Sequence, residues 1–88
     1  MTIRVAHLRI QGVNCAIFGA DARIHSNRAR SELLDQLVAA ARASGLRVEK
    51  AALAYQQGSR RCFWGTRDLA RYMAGIGGVP KWTHTLTL

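Results

Sequence analysis

Acidic residues are scarce: five Asp plus Glu stand against 13 Lys plus Arg, for a formal net charge of +8. A two-carboxylate mechanism needs two acids converging on one cleft. The spacing of Asp21, Glu32, Asp35, Glu49 and Asp68 offers no such pair. Cysteine is limited to Cys15 and Cys62, far apart and without CxxC spacing. That excludes a disulfide framework and a zinc knuckle, and predicts two buried free thiols in a reducing compartment. Long apolar runs are missing. The opening MTIRVAHLRI alternates charged and apolar residues, so neither a signal peptide nor a membrane anchor is expected, and the expected location is cytoplasmic. Gly75-Ile76-Gly77-Gly78 lacks the Lys and the following helix of a phosphate loop. No nucleophile–base pair stands out, and neither enzyme activity nor a cofactor is expected.

What is present is enough for one domain over residues 1–88, with 49% apolar residues. The chain is organised around SNRARSELLDQLVAAARASG, residues 26–45. Leu33, Leu34, Leu37, Val38 and Ala41 recur at spacings of three and four and share one helix face. Ser26 or Asn27 supplies an N-cap, and Gly45 a left-handed stop. A second helix follows Thr66, its expected cap, with Asp68 in the first turn and a stripe of Leu69, Tyr72, Met73 and Ile76. Gly75, Gly77, Gly78 and Pro80 end it.

The remaining segments read as strands. Thr2 to Ile10 is β-like, Gln11-Gly12-Val13-Asn14 has turn chemistry, and Cys15 to Ala20 reads as a buried return strand. Leu46 to Tyr55 and Arg60 to Gly65 flank a turn with Gly58 at its positive-φ position. KWTHTLTL at the C-terminus alternates strictly, placing Trp82, His84, Leu86 and Leu88 on one face. The order β(β)αββαβ predicts an α+β fold: a two-layer sandwich with an antiparallel sheet of four or five strands. Without the extra N-terminal arm it is the ferredoxin-like order, with both helices on one face and the two terminal strands adjacent in the middle.

Eleven of the 13 basic residues are Arg, whose planar fork pairs bidentately with phosphate and carboxylate. Compositional bias towards Arg and Ala is the competing reading. Arg60, Arg61, Phe63 and Trp64 in RRCFWG combine phosphate-pairing cations with ring faces that stack on bases, although Phe63 and Trp64, as neighbours, point to opposite faces, so one of them is expected in the core. RRCFWG is similar in position to the aromatic third strand of RNA-recognition modules, but Arg61-Cys62-Phe63 lacks that family's intervening Gly. Ile10-Gln11-Gly12-Val13 resembles the QGV loop of acylphosphatases. Asn14-Cys15-Ala16 stands where that family places its catalytic Arg, so acylphosphatase activity is not expected.

The candidate nucleic-acid-binding set is Arg4, Arg9, Arg60, Arg61, Trp64, Arg67 and Arg71, forming one patch if the first strand neighbours RRCFWG. His7 and His84 would meet across adjacent terminal strands, with Cys15 near. Three residues without characteristic spacing do not make a metal site, and none is assigned. The expected function is a small basic binding module for nucleic acid. The alternative is a protein–protein or self-assembling dimeric module, with the C-terminal strand pairing with its twin if it lies at an edge.

Overall fold

A computed structural model describes residues 2–20, 24, 26–76 and 81–88. The elements are β1 (Thr2–Ile10), β2 (Val13–Gly19), α1 (Asn27–Ala43), β3 (Lys50–Gln57), β4 (Arg60–Gly65), α2 (Arg67–Ile76) and β5 (His84–Thr87). The N-terminal arm is a true hairpin. Gln11 and Gly12 both take positive φ, 50° and 80°, as a tight turn matched to strand twist requires. Because a strand follows this turn, it is not the strand-to-helix loop of an acylphosphatase.

An α+β sandwich stands, with a five-stranded sheet in the order β4-β3-β2-β1-β5. Three finer expectations are corrected. First, the sheet is mixed: β2 and β3 run parallel, and the other neighbours are antiparallel. A helix between two neighbouring strands returns the chain to the starting end, so β2-α1-β3 is a crossover unit and cannot be a hairpin. Second, this order is not ferredoxin-like. β1 and β5 are adjacent, but β5 is an edge and not a central strand. Third, the helices lie on opposite faces. Leu37 and Ala41 of α1 pack with Ile3, Val5, Ala16, Phe18, Ala51 and Leu53. Leu69 and Met73 of α2 pack with Ala6, Cys15, Ile17, Ala52 and Ala54, the strand positions of opposite parity.

Local chemistry fixes the helix ends. Ser26 Oγ accepts from the Ala29 N–H at 3.1 Å, and Gly45 takes φ 98° just past the C-terminus of α1. Thr66 does not cap α2 with its side chain: its Oγ1 accepts instead from the Ala51 N–H, at 3.4 Å. The α2 stripe is only half used, with Leu69 and Met73 buried and Tyr72 and Ile76 exposed. The expected stop at Gly77, Gly78 and Pro80 lies outside the described residues.

The C-terminal alternation breaks at Thr83. Its N–H bonds Val5 O at 2.8 Å, one residue out of step with the β1–β5 pairing of Val5 with His84. His84 and Leu86 therefore keep to the α1 side, while Trp82 packs with the α2-side cluster. That displacement builds the groove described next.

Candidate functional site

The sheet divides the basic residues. On the α2 side, a groove of about 380 Å³ is lined by Arg4, Gly19, Ala54, Gln56, Arg61 and Trp82, among others. Its floor is small: Gly19 pairs with Ala54, and no side chain rises from that position of β2. Trp82 uses the space. Its Cη2 comes within 3.4 Å of where a Gly19 Cβ would stand. The Arg4 guanidinium lies over the indole, 4.8 Å from the ring centroid, a cation–π contact that holds the cation in place. Arg61, opposite Gln56, stands at the other wall. Arg4 and Arg61 sit on β1 and β4, three strand spacings or about 14 Å apart across the sheet and two residues out of register along it. No carboxylate lines the groove among the described residues.

The other expected residues do not join this surface. Arg9 lies on the α1 side beside Arg42, Arg47 and Glu49 in a shallow depression. Arg60 shares the parity of Trp64 and so also faces the α1 side. Arg67 and Arg71 lie on exposed α2 next to Asp68. Trp64 is half-buried and packs against the α1-side core, so its ring serves the fold and offers no open stacking face. The single seven-residue patch is thus replaced by separate groups: Arg4 and Arg61 line the groove, while Arg67 and Arg71 lie together on α2 with Asp68 between them.

Other arginines are already engaged. Arg28 pairs with Glu32 in an exposed i, i+4 contact, and Arg42 donates through Nε and Nη2 to Val48 O. Neither Arg4 nor Arg61 has an ion pair among the described residues. Two such cations facing one groove leave a positive field that an anion relieves.

A second pocket, about 220 Å³, is lined by Ile10, Val13, Cys15, Lys50, Asp68 and Tyr72, among others. Burial pushes the Cys15 thiol above its ordinary range, and Sγ donates to Val13 O at 3.5 Å. A neutral, bonded thiol is a poor nucleophile. Lys50 and Asp68 close the pocket as an ion pair. The hydrogen bond between them holds the Asp68 carboxyl below its usual range and Lys50 above its own.

His7 and His84 do meet, with ring centroids 5.9 Å apart in an edge-to-face arrangement. Cys15 is on the opposite side of the sheet, so the three do not assemble. His7 Nε2 lies 2.8 Å from Arg47 O, and because a carbonyl only accepts, Nε2 is the donor in that bond. Among the described residues no group of three metal-ligating side chains is found, and no helix is long and apolar enough to cross a membrane.

Fold and groove together define a small basic α+β domain with a groove walled by cations and lined by no carboxylate among the described residues. Comparisons with family models, with curated proteins and with solved structures return no match.

Sequence reasoning missed Trp82 as a groove residue, because strict alternation assigned it to the face of His84 and Leu86. Gly19, a glycine in a strand segment, was the available signal. A glycine on a strand marks a place where another group approaches closely.

Proposed function

We propose that the protein is a non-enzymatic binding module whose ligand is nucleic acid, held in the groove between Arg4 and Arg61. The observation that carries this reading is the pairing of two guanidinium groups across one groove, with no ion pair to either and no carboxylate in the lining among the described residues. Guanidinium is suited to phosphate because its fork donates two parallel hydrogen bonds.

The test is binding of a labelled oligonucleotide across a salt series. Binding at low salt that weakens log-linearly as salt rises is expected, with a slope of roughly −0.7 for each phosphate neutralised on a single strand. Arg4→Ala and Arg61→Ala should each flatten the slope by about one such contact, whereas Arg9→Ala and Arg67→Ala should leave it near the parent value. Absence of binding at low salt removes the reading.

The alternative, a self-assembling module, draws on one observation: β5 lies at the sheet edge, with Thr85 and Thr87 exposed. Light scattering at high concentration separates the two, since edge pairing predicts a dimer mass that Thr85→Lys would lower.

A further inference from the structure

We infer that the groove takes single-stranded rather than double-stranded nucleic acid, with the Arg4 guanidinium as the plane on which an unpaired base stacks. This rests on the binding reading above and specifies its ligand. Trp82 cannot itself be the open platform: its ring meets the sheet floor at Gly19 and carries the Arg4 guanidinium over its face. Arg4 is exposed while Trp82 is half-buried, so the guanidinium, backed by the indole, is what the groove presents.

An arginine plane stacks on a base as an aromatic ring does, and every base has such a face. With Trp82 covering Gly19, the small side chain of Ala54 leaves depth for a flat group between the Arg4–Trp82 wall and Arg61, and Gln56 beside Arg61 adds an amide to the far wall. A base reaches that floor only when it is free of its partner and its neighbours, as it is in a single strand. Arg61, about 14 Å away across the strands, is then placed for the backbone phosphate of a neighbouring nucleotide.

Arg4→Lys separates plane from charge, since lysine keeps the cation but loses the delocalised surface. The probes are a fluorescein-labelled thymidine oligomer and a blunt duplex of equal length, compared by anisotropy at one low salt concentration. The parent is expected to prefer the single strand. Arg4→Lys should weaken single-strand binding about tenfold, within the range that stacking one base supplies, and leave duplex binding and the salt slope unchanged. In a Trp64→Phe background, emission from Trp82 should change on saturation with the thymidine oligomer.

Equal affinity for the two probes, or an Arg4→Lys variant that binds single strands like the parent, overturns the stacking inference and leaves the binding reading standing. Binding to neither probe at low salt overturns both. If Arg4→Lys does not fold, the Trp82 signal decides: saturable binding without any emission change overturns the inference.

Discussion

Gly65 is the position where one added methyl group does the most damage. A Cβ built there would lie 2.5 Å from Ala51 O, 2.7 Å from Ala52 Cα and 3.1 Å from Leu34 Cδ2, at a φ of 153° that disfavours side chains. The Leu34 methyl can rotate away. The two β3 backbone atoms cannot, because Ala51 O also receives the Thr66 N–H at 2.9 Å, and that bond fixes the entry to α2. Overpacking of this kind costs about 1–3 kcal/mol, and backbone strain at a sparsely populated φ adds about 1–3 kcal/mol. Gly65→Ala should therefore lose about 2–6 kcal/mol, against a total stability of about 4–13 kcal/mol for a chain of this length. The midpoint temperature should fall by roughly 10 °C or more.

Gly75→Ala is the matched control. It adds the same methyl inside α2, where nothing lies within 4 Å, and should gain about 0.5–1 kcal/mol by restricting the unfolded chain. Urea melts followed by circular dichroism give both numbers. A Gly65→Ala variant within about 0.5 kcal/mol of the parent would refute the packing of β4 against β3 and α1 described above.

Stability should also respond to pH through Lys50 and Asp68, at opposite ends of the scale. The Asp68 carboxyl is held below its unfolded value, so its contribution is full above about pH 4 and fades as pH falls through the lowered folded value. The Lys50 ammonium is held above its unfolded value, so its contribution is full below about pH 10 and fades as pH rises through the raised one. Asp68→Asn should flatten both limbs in a series of urea midpoints, and unchanged limbs would count against the pair. Thiol chemistry should separate the two cysteines: Cys62, half-buried, reacts with a disulfide reagent in the folded protein, whereas Cys15, 1% exposed, reacts only after urea is added. Equal labelling rates in the folded state would contradict the burial of Cys15.

Much of the fold was legible in the sequence because it is written in local chemistry. Ser26, Gly45, Gln11-Gly12 and Gly58 each act within a few residues of their own position, and the elements they bound lie near where spacing puts them, although β3 runs Lys50–Gln57 and not Leu46 to Tyr55. The sidedness of the helices is not local. A stripe states that a helix has an inner face, but not which side of the sheet receives it. A non-local signal was nevertheless present: Cys15 to Phe18 and Ala51 to Leu53 are unbroken apolar runs, and every one of these residues is buried. Runs of that kind mark strands covered on both faces, and alanines on β3 let a helix approach closely from each side.

For the candidate groove, the legible part was the chemistry of Arg4 and Arg61. The grouping was hidden, because β1 and β4 are separated by β2 and β3, and only the final sheet order sets which arginines share a face. Trp82 was hidden for a different reason: the slip at Thr83 moves it across the sheet edge, and alternation alone carries no trace of a slip.

Titration of the isotope-labelled protein with a short thymidine oligomer, followed by backbone amide and indole N–H resonances, locates the binding surface residue by residue. Shifts should gather at Arg4, Gly19, Gln56, Arg61 and the Trp82 indole, and stay near zero at Arg9, Arg47, Arg67 and Arg71. Shifts spread evenly over all the arginines, or centred on α2, would contradict a groove-bound ligand.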